Sequence, residues 1–448
     1  MWRHIIPLNG NEAEVEKGVE LLSVTENHLS RRTALRLTAG AGLAAATPAV
    51  LLAHSEPAQA ASIAEVALPA ATTAIKPFRV SVPGAALDEL RRRVTRTRLP
   101  DRQTVSGWAQ GVPLDEMKRL LDYWARRYDW RRFERQLLKY DQYRTLIDGV
   151  GIHFVHVKSK HRNALPILLT HGWPGSFIEF LEVIEPLTNP TAHGGTAADA
   201  FDVVIPSLPG FGFSDKPAET GWSVDRIARA WQELMRRLGY RHYVAQGGDW
   251  GSGVTHALAR LKPPALLGIH TNFPTLLFAP PVGDNPDAEE QKALKQIADF
   301  QATGAAYLSL ETTRPQTIGY ALADSPSGQA AWIYEKIASW TDSDYNPAAE
   351  IGMDRILDDI TLYWLTDTAA SSGRIYWENP TTTWTTYDLP VGVTVFPKEI
   401  ISTPRVWAER TYKDLIHFRT AARGGHFAAF EQPAIFTTEM RDCFRRLR

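Results

Sequence analysis

Gln246-Gly-Gly-Asp-Trp-Gly-Ser252, QGGDWGS, decides how this 448-residue chain is read. Residues 247–251 follow the spacing G-x-D-x-G. That is the frame of a nucleophile elbow, a sharp strand-to-helix turn that lifts a nucleophile above a sheet, with Asp249 where Ser is usual. The residues just before it, "HYVA", form a short apolar run of strand type. Strand-then-Gly/Pro-turn units recur at "ILLTHGWPGS" (167–176), "FDVVIPSLPGFGFS" (201–214) and "LLGIHTNFP" (266–274), with helical spacing between them, notably over 223–238. Such alternation predicts an α/β chain with a mostly parallel sheet flanked by helices.

The alternation lapses over 276–385, which is helical in pattern and rich in Trp and Tyr, and resumes at "VGVTVFPKE" (391–399) and "LIHFRTAARGGHF" (415–427). A sheet interrupted and then resumed predicts a core in two parts, 149–275 and 386–448, with a helical lid over 276–385. Upstream, Leu87, Leu90, Val94, Met117, Leu120, Leu121, Trp124 and Tyr128 recur at helical spacing, with Pro100 and Pro113 as breaks. They predict a small helical N-terminal domain over 75–148, followed by a strand at "GVGIHFVHVKS" (149–159).

Net charge is −1, and beyond residue 60 the basic and acidic residues balance, which removes any electrostatic case for nucleic acid. Cys443 is the only cysteine, so neither an intrachain disulfide nor a Cys-rich metal site can form. Ser30-Arg-Arg-Thr-Ala-Leu-Arg36, an Ala/Gly/Leu segment to about Ala53 and Ala58-Gln-Ala60 make residues 1–60 resemble a twin-arginine export leader cleaved after Ala60. The expectation is an exported protein without stable membrane insertion; the alternative is an uncleaved anchor. Arg36 and Pro48 make the segment a poor bilayer span.

Every chemical candidate follows a strand, where open α/β sheets gather their reactive groups. His426, in "RGGHFAAFEQP", follows the last strand, late in the chain where a triad histidine belongs. The acid that orients it is expected after one of the preceding strands: Glu399 is the choice, with Asp388 and Asp414 as alternatives, because Asn272 carries no charge. The HGWPGS turn (171–176) sits where a second oxyanion-hole amide is expected, so Trp173 and Trp250 are the candidate backbone N–H donors.

The carboxylate in the elbow narrows the chemistry. Ser attacking an alkyl carbon would leave an ether that water does not readily cleave. Asp leaves an ester, whose carbonyl a His-activated water can attack, with the oxyanion hole aimed at the enzyme's own carboxylate. Epoxides and alkyl halides are the matching substrates. A halide leaves as an anion and needs N–H donors, whereas an opening epoxide needs a proton, which Tyr can supply. Tyr307, Tyr320, Tyr334, Tyr345, Tyr363 and Tyr376 all fall in the lid segment, which favours the epoxide; a haloalkane dehalogenase and a non-catalytic binding protein are the alternatives.

Across about 78–448 the chain resembles epoxide hydrolases of the microsomal and juvenile-hormone type. The resemblance rests on "YDWRRFERQLLKYDQYRTLIDGVGIHFVHVKS", HGWPGS, SLPGFGFSDKP, GGDWGS, FPKE and GGHFAAFEQP. It implies an α/β-hydrolase fold with a helical lid, and hydrolysis of an apolar epoxide to a vicinal diol with water and without metal or cofactor. It also implies Asp249 as nucleophile, His426 as base, Glu399 as its partner, and Tyr307 and Tyr376 as donors to the epoxide oxygen. Vertebrate members carry a membrane anchor, from which the export-type leader departs. Expressed in a bacterial host, the protein should be recovered outside the cytoplasm starting near Ala61. The double change Arg31→Lys, Arg32→Lys should retain it inside, as N-terminal sequencing and fractionation would show.

Overall fold

A computed structural model describes residues 68–274, 280–380 and 384–448; the leader lies outside the described residues. Its centre is a nine-stranded sheet in the order β1-β2-β3-β5-β4-β6-β7-β8-β9. The strands are β1 (Lys76–Phe78), β2 (Gln142–Ile147), β3 (Val150–Val157), β4 (Leu165–Thr170), β5 (Phe201–Pro206), β6 (Tyr243–Gly247), β7 (Leu266–Thr271), β8 (Tyr387–Val395) and β9 (Tyr412–Thr420). From β5 through β9 neighbours run parallel, while β1, β2 and β3 pair antiparallel at one side. Ile167, Leu168 and Leu169 of β4, Val203 to Ile205 of β5 and Val244 of β6 are fully buried. Such continuous apolar runs are what strands covered on both faces require. Each Leu or Ile so buried contributes about 1.5–3 kcal/mol relative to exposure.

Helices α1 (Gly84–Thr95), α2 (Leu114–Arg126) and α3 (Trp130–Leu137) precede the sheet proper. Their buried stripes, such as Met117, Leu120, Leu121 and Trp124 in α2, follow the helical period. The segment is less purely helical than its pattern suggests. It begins with β1 and ends with β2, which pairs residue by residue with β3. Gln142, Arg144 and Thr145 of β2 are buried polar residues, so the strand shows no apolar alternation.

Core helices α4 (Leu181–Thr188), α5 (Val224–Arg237) and α6 (Asp249–Leu261) cover the sheet. In α5, Ile227, Trp231, Leu234 and Met235 form the buried face, again at helical spacing. The interruption of the sheet is helical: α7 (Ala288–Thr303), α8 (Ala306–Thr313), α9 (Pro315–Asp324), α10 (Pro326–Trp340), α11 (Pro347–Glu350), α12 (Met353–Leu365) and α13 (Ala369–Glu378). No strand occurs in it among the described residues. Asp287 and Ser325 start α7 and α10 by accepting the free N–H groups of Glu290 and Gly328, which the first helical turn leaves unpaired. After the lid, α14 (Arg405–Thr411), α15 (Ala428–Glu431) and α16 (Pro433–Phe444) complete the chain. Strand β8 begins four residues before the apolar run at 391, and β9 ends at Thr420, which frees 421–427 as the loop that carries His426.

The N-terminal helices rest on the lid through buried polar contacts to α12. Trp124 Nε1 donates to Thr361 at 3.0 Å, Tyr128 donates to Asp358 at 2.8 Å, and Arg132 grips the Asp358 carboxylate at 2.5 and 2.6 Å. Helix α6 starts hard against the end of β4: a Cβ on Gly251 would lie 1.9 Å from the Thr170 carbonyl oxygen. Gly251→Ala should therefore push α6 off the sheet and lower turnover at least about 100-fold, the scale on which ångström displacements of reacting groups act. Activity and a melting curve measured on the same preparation check this.

Candidate active site

Asp249 is the first residue of α6 and has φ 47°, a left-handed conformation uncommon outside Gly, Asn and Asp. The turn holds the carboxylate over the HGWPGS loop, where a Cβ on Gly172 would lie 2.3 Å from Asp249. The Trp173 amide donates to Asp249 Oδ1 at 2.8 Å. Trp250 follows in the first turn of α6, where backbone N–H groups have no intrahelical acceptor. His171 fixes the loop from behind: its Nε2 accepts from the Leu208 amide at 3.1 Å, and its Nδ1 lies 3.0 Å from the Gly172 carbonyl. Burial pushes its pKa down to about 4, so it is neutral at physiological pH.

His426 Nε2 lies 3.4 Å from Asp249 Oδ2, and Nδ1 lies 2.6 Å from Glu399 Oε1. The structure thus brings Asp249, His426 and Glu399 into one line. Burial works against an imidazolium at His426, but Glu399 and Asp249 outweigh it and hold the pKa well above the ordinary value. Asp388 is instead paired with Lys262 on the surface, Asp414 is exposed on β9, and Asn272 accepts from Gln246.

From the lid, Tyr307 and Tyr376 close over Asp249. The Tyr307 ring stacks on Trp173 at 5.1 Å, and Tyr376 meets Trp173, Trp250 and Tyr307 edge to face. Burial above all, with Asp249 adding to it, holds both phenols well above their usual pKa, so both keep their protons at neutral pH. The Tyr376 hydroxyl is buried without a hydrogen bond of good geometry, although Tyr307 and the Trp250 indole lie close. A pocket of 30 Å³ between Asp249, Tyr307 and Tyr376 is walled by Phe273, Phe300 and Ile401. The other lid tyrosines are elsewhere: Tyr320 and Tyr345 are exposed, Tyr334 packs near Trp108, and Tyr363 donates to the Gly175 carbonyl at 2.8 Å.

Sequence reasoning passed over three carboxyls near the site, of which Glu431 and Asp359 are buried and Glu179 is half-buried. Glu431 ties the histidine loop to the lid by accepting the amides of Asp342, Gly425 and Phe427 at 2.8, 3.1 and 3.0 Å. Asp359 of α12 accepts from Ser176 of the HGWPGS turn at 2.6 Å. Glu179 lies just beyond that turn with Oε1 buried. Nothing in their spacing marks them, since each falls in a helical pattern where a carboxylate is normally solvated.

An α/β sheet whose elbow carries a carboxylate beside a His–Glu pair defines an α/β hydrolase, and residues 166–367 match the alpha/beta hydrolase fold family. Residues 75–180 match the family described as Epoxide hydrolase N terminus. A Stigmatella aurantiaca protein provisionally named as an epoxide hydrolase is 60% identical over 376 residues, 84% of this chain and 86% of that one. Epoxide hydrolase 1 of Sus scrofa is 34% identical over 82% of this chain and 88% of its own length. The solved Aspergillus niger epoxide hydrolase has a TM-score of 0.76 at 32% identity, covering 86% of this chain and 99% of that chain. The chain belongs to the epoxide hydrolase family and is an epoxide hydrolase. The dehalogenase and non-catalytic alternatives are thereby set aside.

Burial pushes the Asp359 carboxyl up to about 7. A carboxyl whose pKa is raised by folding lends stability that is complete below its unfolded value and is lost as pH rises through its folded one. Asp359→Asn should accordingly gain in melting temperature relative to the parent as pH rises from about 4 through about 7, and hold that gain above. Thermal melts of both proteins across that range give the test.

Proposed function

We propose that this enzyme opens an apolar epoxide through a covalent ester on Asp249, which His426 and water then hydrolyse to the vicinal diol. The reading is carried by one observation: Asp249 has Oδ1 on the Trp173 amide and Oδ2 facing His426, which is itself held by Glu399. Oδ2 attacks a ring carbon, the carbon–oxygen bond breaks, and the ring oxygen takes a proton from Tyr307 or Tyr376. Negative charge grows on that oxygen only as the bond breaks, so the phenols act on the transition state.

Charge then changes at the histidine. Two carboxylates favour the imidazolium in the resting site. Once Asp249 is an ester, one of those charges is gone, and the imidazolium gives up its proton to make good the one lost by the phenol. Neutral His426 then takes a proton from water, whose oxygen adds to the ester carbonyl. The Trp173 and Trp250 amides receive the charge on the carbonyl oxygen. Collapse of the adduct breaks the bond to the alkyl oxygen, which leaves with the proton held by His426. Asp249 is restored. Residues 1–60 are proposed to direct export, on the strength of Arg31-Arg32 and Ala58-Gln-Ala60.

A single turnover in heavy-oxygen water should put unlabelled enzyme oxygen into the diol, and His426→Gln should gain one substrate mass and keep it. Label entering the diol on the first turnover would mean direct attack by water. Tyr307→Phe and Tyr376→Phe should each slow alkylation about 10- to 1000-fold, the span of general acid catalysis. Their melting temperatures should stay near that of the parent.

A further inference from the structure

Behind Asp249, away from the tyrosines, lies a second cavity of 20 Å³. Asp249, His426, Glu179, Gln246, Asn272 and Phe180 are among the residues that line it. A water needs about 10–15 Å³ and two to four polar partners. Two partners stand ready: Gln246 Oε1 is buried with no hydrogen-bond partner, and Glu179 Oε1 is buried with no hydrogen bond of good geometry, although the Ser176 backbone lies close to its carboxyl. Buried polar atoms are nearly always satisfied, so two such atoms on one small cavity imply a missing third party.

The chain makes room for this arrangement. A Cβ on Gly175 would fall 1.7 Å from Glu179 Oε1, so the carboxyl occupies the space that any side chain at 175 would claim. Gln246 is held in place by donating through Nε2 to Asn272 at 2.9 Å. The turn between Gly175 and Glu179 is anchored by Ser176 on Asp359 and by Tyr363 on the Gly175 carbonyl.

We propose that this cavity holds the water that hydrolyses the Asp249 ester, and that Glu179 and Gln246 are the residues that position it. The proposal deepens the aspartyl-ester reading and rests on it. One O–H of the water points to His426 Nε2 and the other to Gln246 Oε1. Glu179 meets a lone pair, and the remaining pair faces the ester carbon. The proton goes to His426, the new bond joins water oxygen to Cγ of Asp249, and the alkyl oxygen leaves with a proton from His426. Glu179 fits this role as a neutral acid: burial raises its pKa well above the usual value, with Asp359 and Asp249 adding to the rise and His426 opposing it. It is a positioning residue, acting through water rather than on the epoxide.

The test separates the two half-reactions, with alkylation followed by rapid quench and intact mass, and hydrolysis followed on preformed alkyl-enzyme. Glu179→Val should slow hydrolysis about 10- to 100-fold while alkylation stays within about threefold, as expected when only a positioned reactant is lost. Glu179→Gln, neutral and of equal size, should restore most of the rate. Gly175→Ala displaces the carboxyl without removing it and should slow hydrolysis likewise, which covers the case in which Glu179→Val fails to fold. Hydrolysis at the parent rate in both Glu179→Val and Gly175→Ala overturns the proposal, as does alkylation falling as far as hydrolysis. If even His426→Gln forms no adduct, the aspartyl-ester reading is what fails.

Discussion

Helix α6 begins so close to β4 that no side chain fits between them: at Gly251 an added Cβ would sit 1.9 Å from the Thr170 carbonyl oxygen, and at Gly172 it would sit 2.3 Å from Asp249. These two contacts fix Asp249 relative to the HGWPGS loop before any hydrogen bond is counted. The Trp173 amide then meets Asp249 because the loop has nowhere else to go. A close-packed interior moves little when pressed, so this placement is steadier than one built on hydrogen bonds alone.

Much of this was legible in the sequence because it depends on backbone chemistry that few residue types satisfy. The glycine frame around Asp249, the Gly424-Gly425 pair before His426 and the short apolar runs each have few readings. What stayed hidden was polar and buried. Strand β2 carries Gln142, Arg144 and Thr145 inside, so it lacks the alternation that marks a strand. Asp359 and Glu431, and in part Glu179, sit in helical patterns where a carboxylate normally faces water, and only packing from distant elements draws them inward. Spacing along one element does not report what another element brings against it.

The site divides its electrostatics between two compartments. On the lid side, aromatic rings surround Asp249 and keep both phenols protonated. At His426, which the lid's Trp340 also touches, two carboxylates outweigh burial and favour the charged form. Formation of an ester would erase one charge at the boundary, so a change made on one side retunes the other. In the proposed ester mechanism, two half-reactions with opposite proton demands would thus share one histidine.

Helix α12 has another consequence. Its residues from Ile356 to Leu365 are buried on every side. Toward the N-terminal segment, Asp358 and Thr361 receive Tyr128, Arg132 and Trp124; toward the HGWPGS loop, Asp359 and Tyr363 hold Ser176 and Gly175. In inheritance terms, the segment before the sheet and this part of the lid form one module joined through α12. Recombination between relatives that exchanges lids to alter substrate range would have to carry α2 and α3 along with α12, or the loop beneath would lose its anchor.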